Sequence, residues 1–172
     1  SSDLDPTPRV VVDGQAIHLA DMSELVGETV ARLKRGRGFT LYTFDMDHLV
    51  KRRVDPVFRS AYSRATYVTA DGAPVVWLAR HQGVALARTT GADLLRPLCK
   101  TAAEVGLPVA FFGSSETSLA KAARELKRDY PRLVISHLES PPQGFDPFSE
   151  AADAAMARIA RSGARIRSEE HT

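Results

Sequence analysis

The sequence predicts an α/β protein: a mostly parallel sheet with helices on both faces, preceded by an N-terminal β-hairpin. Three observations carry this expectation. Short β-branched runs alternate with segments of helical periodicity along almost all of the 172 residues, the pattern of repeated strand–helix–strand units. Helix starts are marked by Asp, Ser or Pro and helix ends by Gly. The chain is long enough for one domain with a real core, and no repeat, linker or low-complexity block interrupts it.

The elements follow in order. Val10 to Val12 and Ala16 to Leu19 flank Asp13-Gly14, a turn-forming pair, and predict a hairpin. Asp21 caps a helix, with Glu24 three residues later as in a capping box. Val26, Val30 and Leu33 give that helix one apolar face, and Gly36 and Gly38 end it. Phe39 to Phe44 is the next strand, and a helix capped by Asp47 follows. Asp55-Pro56 restarts a helix with a cap and a proline at its first position. Thr66 to Ala70 is a strand, Pro74 to Gln82 a helix, and Ala92 to Val105 a further helix closed by Gly106. Strand Val109 to Phe112 leads through Gly113-Ser114-Ser115 into a long helix ending near Tyr130. Leu133 to His137 is a strand, Ser140 to Pro147 a loop, and Ser149 to Arg161 an Ala-rich helix. Gly163 to Ile166 starts another strand, but Arg167 to Thr172 turns abruptly polar, which predicts a non-native tail over 167–172 after a core over 1–166.

Bulk composition narrows the partners. With 44% hydrophobic and 26% charged residues the chain is an ordinary globular sequence. A net charge of +2 with mixed signs and no aromatic-basic stripe is not the footprint of a nucleic-acid binder. The single Cys99, in a helical apolar setting, predicts a buried thiol and a reducing compartment. No apolar run approaches the roughly 20 residues that a membrane span requires, so a cytoplasmic protein is expected, with peripheral membrane contact left open.

Chemistry concentrates at the strand-to-helix turns, where open α/β sheets hold their ligands. Tyr67 to Ala70 delivers Asp71-Gly72 to the mouth of one such turn, and Arg88-Thr89-Thr90-Gly91-Ala92-Asp93 adds a cation, hydroxyls and a glycine at the next. Acid, base and flexible backbone at successive turns suit an anionic substrate. Each residue also has a plain structural role: Asp71 as a helix cap, Arg88 and Asp93 as a pair, Thr90 as a cap. Gly113-Ser114-Ser115 before a helix offers free N–H groups to a phosphate or makes an ordinary N-cap. Pro141-Pro142-Gln143-Gly144-Phe145 is a lid or a connector. Phe44-Asp45-Met46-Asp47 presents two carboxylates after a strand, the spacing of the nucleophile loop in magnesium-dependent haloacid-dehalogenase-like phosphatases and of the metal site in some glycosyltransferases. The phosphatase pattern, however, wants Thr or Val where Leu49 stands, and no later paired-Asp motif appears. The five histidines show no metal spacing, His48 and His81 are expected at the surface, and Trp77 among Val75, Val76 and Leu78 is expected in the core.

Together these pieces resemble the bacterial WecG/TagA/CpsF glycosyltransferases, the N-acetylmannosaminyltransferase family, from about Val10 to Ile166. The carriers are Thr43-Phe44-Asp45-Met46-Asp47-His48-Leu49-Val50, Asp55-Pro56-Val57-Phe58-Arg59, Ala70-Asp71-Gly72-Ala73-Pro74-Val75-Val76, Arg88-Thr89-Thr90-Gly91-Ala92-Asp93-Leu94, Phe111-Phe112-Gly113 and Pro141-Pro142-Gln143-Gly144-Phe145. Each block alone is unspecific; their order and spacing together are specific.

The resemblance implies a Rossmann-like core and an inverting, metal-independent transferase that needs no cofactor. Its donor would be a UDP-sugar, N-acetylmannosamine or its uronate, and its acceptor an undecaprenyl-diphosphate-linked saccharide. The product would enter teichoic acid, enterobacterial common antigen, capsule or exopolysaccharide at the cytoplasmic membrane face; self-association stays open. By the same resemblance Asp71 is the general base, Thr43 orients sugar or acceptor, and Arg88 steadies the diphosphate. Asp45, Gly72, Thr90, Gly91, Asp93, Gly113, Ser114 and Gly144 line the substrate site. Two departures stand out. The family usually carries Asn where Asp45 stands. After Ile166 it continues with a strand, a Gly-x-Pro-Lys-Gln-Glu motif that serves the donor site, and a basic appendage that aids membrane docking. A chain lacking these is expected to be weakly active or inactive.

Overall fold

The computed structural model describes residues 6–170, with the side chain of Glu170 left aside; residues 1–5 of the expected core and 171–172 of the expected tail lie outside the described residues. The chain divides after Leu94 into two compact units.

The first unit opens with the expected hairpin, β1 (Val10–Val12) against antiparallel β2 (Gln15–Ile17). Asp13 and Gly14 both have positive φ, 49° and 74°, the signature of a two-residue type I′ turn. The turn is held from outside its own hairpin. The buried guanidinium of Arg52 donates to the Asp13 carbonyl at 3.1 Å and the Gly14 carbonyl at 3.4 Å, and Arg53 forks onto the Asp13 carboxylate at 2.8 and 2.9 Å. Helix α1 (Met22–Lys34) starts at Asp21, whose carboxylate accepts from Glu24 N–H at 2.9 Å. Glu24 reaches back to the N–H of Ala20 at 2.8 Å, one residue earlier than a standard capping box, and pairs with Arg9.

Strand β3 (Leu41–Phe44) lies parallel to β4 (Tyr67–Ala70), with Phe44 opposite Ala70. Two helices connect them, α2 (Met46–Val54) and α3 (Pro56–Ser63), the second capped by Asp55 through the N–H groups of Val57 and Phe58. All four residues of β4 are buried, as a strand covered on both faces demands. Val68 and Ala70 join Phe44, Leu49, Tyr62, Val75 and Ala79 in one core cluster. On the other face the Tyr67 hydroxyl, reaching α1, donates to Glu28 at 3.0 Å and accepts from Arg32 at 2.8 Å. After β4 comes α4 (Ala73–His81), and α5 (Gly91–Val105) begins before the division.

The second unit is built around β5 (Val109–Gly113), which pairs in parallel with β6 (Ile135–Glu139) on one side and β7 (Ile166–Glu170) on the other. Alternation on β5 sends Val109 and Phe111 to a cluster with Cys99, Ala102 and Leu126, from α5 and α6 (Glu116–Asp129). It sends Ala110 and Phe112 to Ala155 and Ile159 of α7 (Glu150–Arg161). Helices therefore cover both faces of this sheet, as the sequence leads one to expect.

Several details differ from expectation. Beyond the antiparallel hairpin, the parallel strands form a two-stranded and a three-stranded sheet. The β6 strand starts two residues later than its apolar run, because Leu133 is buried from a turn in which its N–H bonds the Tyr130 carbonyl at 2.9 Å. β7 begins at Ile166 and continues through Arg167, Ser168 and Glu169 in register with β5; the ladder runs through backbone groups that polar side chains do not interrupt. Trp77 is 57% exposed rather than in the core, lying at 3.9 Å centroid distance from the His81 ring one helical turn on. Its neighbours Val75, Val76 and Ala79 take the inward face of α4 instead.

Candidate active site

The site grows from the carboxyl ends of β3 and β4. The peptide N–H of Asp71 donates to the Phe44 carbonyl at 2.8 Å, so the two strands end level. Immediately beyond, β3 turns into α2 and β4 into α4, and these turns solve capping in opposite ways. At the first, Asp45 is the N-cap: its carboxylate accepts from His48 N–H at 2.8 Å. Asp47, expected as that cap, instead sits exposed in the first turn of α2. The reason is where β3 stops: its last residue is Phe44, so the next carboxylate takes the cap. At the second turn the N-cap is Gly72, with φ 104° and ψ 142°, and no side chain caps the helix. Asp71 is thus not spent on capping α4.

The Asp71 carboxylate is half-buried, and the Thr43 side chain lies on the same face, since Thr43 is in register with Thr69, two residues before Asp71. Burial raises its pKa above the ordinary carboxylate value, and the nearby Asp45 charge raises it further; Arg88, the Thr43 hydroxyl and His48 act in the opposite sense. Arg88 reaches this neighbourhood because the segment after α4 returns along β4, with Thr89 N–H donating to the Ala70 carbonyl at 2.8 Å. Arg88 does not form an ion pair with Asp93; its side chain is exposed and its field acts on Asp71. Gly72 lies beside Asp45, and a Cβ added there would stand 3.9 Å from the Asp45 Cβ. A Cβ on Gly91 would stand 3.8 Å from the Thr43 methyl. Thr90 caps α5, its hydroxyl accepting from Asp93 N–H at 3.1 Å, and Asp93 is exposed in the first turn.

Thr43, Asp45, Asp71, Gly72 and Arg88 therefore gather at one place, with Thr90 and Gly91 close by through the Thr43 methyl. Two residues that the sequence reading did not select join them. Tyr62 on α3 is buried and donates its hydroxyl proton to the Thr43 carbonyl at 2.6 Å. His48, expected at the surface, is half-buried with Nδ1 at 3.0 Å from the Tyr62 oxygen, 3.1 Å from the Thr43 carbonyl and 3.4 Å from the Asp45 carboxylate. The signal was the spacing Asp45-x-x-His48, which places His48 over the cap of its own helix; nothing local marks Tyr62.

Gly113, Ser114 and Gly144 belong to the second unit. Gly113 ends β5 with φ 107°, and Ser114 follows at φ 56°, a left-handed conformation rare for a side chain. Ser115 caps α6, accepting from Ser118 N–H at 3.2 Å, and the Ser140 hydroxyl donates to the Ser114 carbonyl at 2.6 Å. A cleft of about 330 Å³ opens here between the start of α6 and the end of β6, lined by Glu116, Leu119, Ala120, Leu138, Glu139 and Ser140. Gly144 lies in the exposed loop before α7 at φ 77°.

Among the described residues no three His, Cys, Asp or Glu side chains group so as to hold a metal ion, and no helix is long and apolar enough to cross a membrane. No curated protein matches the chain. A family model does: that of the glycosyl transferase WecG/TagA/CpsF family matches residues 10–167.

Proposed function

The chain belongs to the WecG/TagA/CpsF family of glycosyltransferases, which act in cell-surface polysaccharide synthesis, and from that premise we propose that Asp71 is the general base of an inverting transfer from a UDP-sugar to a lipid-linked saccharide. The observation that carries the proposal is the state of Asp71. Its carboxylate caps nothing, lies on the face of Thr43, and has a pKa raised by burial and by Asp45. A base must hold the proton it takes, and a carboxylate with raised affinity does this better than a fully solvated one.

In this reading the acceptor hydroxyl approaches Asp71 and attacks the anomeric carbon of the donor. The bond from that carbon to the UDP oxygen breaks as the new glycosidic bond forms, and the hydroxyl proton passes to Asp71. Negative charge then grows on the departing diphosphate, and Arg88 is the cation of this unit beside the base that meets it. The donor sugar is of the N-acetylhexosamine type, N-acetylmannosamine or its uronate. The acceptor is an undecaprenyl-diphosphate-linked saccharide, whose lipid confines the reaction to a membrane surface.

Asp71→Asn tests the assignment, since it keeps shape and removes basicity. Calorimetry should show UDP-sugar binding preserved while transfer to the lipid-linked acceptor falls by about 10²–10⁴-fold, the usual contribution of a positioned base. Undiminished turnover would remove Asp71 from the role.

A further inference from the structure

Successive carbonyls of a strand point to opposite sides. In β3 the Phe44 carbonyl faces β4 and accepts Asp71 N–H, so the Thr43 carbonyl faces the other way, along an edge that no strand covers among the described residues. A half-buried carbonyl without a partner is costly. Here it has two candidate donors, Tyr62 from α3 and His48 from α2.

Their proton inventory is restrictive. The Tyr62 hydroxyl has one proton, and at 2.6 Å it goes to the Thr43 carbonyl. The Tyr62 oxygen then has only acceptor capacity left for His48 Nδ1, 3.0 Å away. The assignment that satisfies all three atoms therefore puts an N–H at Nδ1. The same proton suits the Asp45 carboxylate at 3.4 Å. The Tyr62 ring cannot wander from this geometry, since Phe58 and Phe44 pack on it at centroid distances of 5.0 and 5.6 Å.

Thr43 is thus gripped by its main chain on one side, while its side chain shares the face of Asp71, which follows its register partner Thr69 by two residues. We propose that Tyr62 and His48 are a positioning pair, which clamps the Thr43 carbonyl and so holds the Thr43 hydroxyl in place to serve the Asp71 carboxylate on the same face. The proposal deepens the reading of Asp71 as the base and rests on it for its catalytic meaning. Neither residue touches the reacting atoms; the positioning effect of both runs through Thr43.

Simple packing by Tyr62 would predict no effect on how Asp71 titrates, and this separates the two roles. Charged or titratable groups that face Asp71 are Asp45 and His48 from α2, Tyr62 from α3 and Arg88 from the segment after α4. Tyr62→Phe keeps the ring and all these charges, and removes one hydroxyl. Carbon-13 NMR of the Asp71 carboxyl across pH reads the consequence directly and needs no turnover. Loss of a hydrogen bond to the ionised form favours the protonated form. Tyr62→Phe and Thr43→Val should therefore each move the Asp71 midpoint upward, and the double variant no further than Thr43→Val alone. His48→Asn and His48→Ala both remove the imidazole, but Asn keeps a side-chain N–H near the Nδ1 position; the Asp71 midpoint should sit lower in His48→Asn than in His48→Ala.

An unchanged midpoint in Tyr62→Phe, or full additivity with Thr43→Val, overturns the clamp. If Tyr62→Phe lost its fold, equal midpoints in the two His48 variants would overturn it equally. In turnover, Tyr62→Phe should lower kcat about fivefold to tenfold at constant KM, the effect of one lost hydrogen bond. Normal transfer by Asp71→Asn would instead sink the base assignment, and the titrations would still decide the clamp on their own.

Discussion

Asp71 N–H donates to the Phe44 carbonyl at 2.8 Å, and this single backbone bond fixes the base candidate relative to the neighbouring strand end. It brings Asp71 within the field of Asp45, the residue after Phe44. That second carboxylate adds to burial in raising the Asp71 pKa. Two consequences in pH follow, of opposite sign. A carboxyl whose folded pKa exceeds its unfolded one binds more protons in the folded state, so stability falls as pH rises from the ordinary Asp range through the raised value. Asp71→Asn should accordingly raise Tm at neutral pH and flatten this part of the profile, as calorimetric scans at several pH values would reveal. Transfer runs the other way and should increase with pH through the same window, because only the ionised base can accept a proton.

Gly72 carries the turn between Asp71 and α4 at φ 104° and ψ 142°, a region nearly closed to side chains. A methyl group there meets nothing closer than 3.7 Å, from the Pro74 Cδ. Gly72→Ala should therefore cost about 1–3 kcal/mol through backbone strain alone, measured as a lower urea midpoint at constant m. No clash needs relief, so repacking variants of Pro74 should not restore it.

Arg52 is buried at 8% exposure and holds the carbonyls of Asp13 and Gly14, while its Nε has no partner. Arg52→Ala strands two carbonyls and removes the packed stem, at a cost of about 2–4 kcal/mol. Arg52→Met restores the stem without the donors and should recover part of that loss. Equal stability of the two variants in chemical denaturation would assign the whole effect to the hydrogen bonds.

Trp77 is the only tryptophan and stands 57% exposed beside His81. Iodide should quench nearly all the tryptophan fluorescence of the folded protein. Trp77→Ala should change stability by no more than about 0.5 kcal/mol, as for surface positions generally.

The sequence was most legible where local chemistry decides local structure. Asp21, Asp55, Ser115 and Ser149 all cap the helices that follow them, because a short polar side chain serves the first free N–H groups whatever the tertiary setting. The same logic failed where two candidates competed. Asp45 and Asp47 are both good caps, and only the point at which β3 stops chooses between them. Trp77 misled because an apolar neighbourhood in sequence says nothing about which helical face points inward. Tyr62 was invisible for another reason: its partner is a carbonyl 19 positions earlier, and main-chain acceptors leave no trace in residue types. Leu133 carried a strand-like pattern but entered the core from a turn. At the candidate site, the motifs of Thr43, Asp71 and Arg88 already place them at neighbouring strand ends, whereas the contacts of Tyr62 and His48 with the Thr43 carbonyl depend on how α2 and α3 pack.

The grip of Arg52 on the first hairpin also has a temporal side. An isolated two-stranded hairpin is marginal in water, and the β1–β2 turn takes its anchor from a residue 39 positions away. The chain must close that long loop before the anchor exists, and such closures are slow relative to local turns. Asp13 and Gly14 would then gain their native partners after α2 has docked, which predicts φ-values near zero at the turn and higher ones along α2. On this order the β1–β2 turn, although it precedes α2 in the chain, is the later of the two to set.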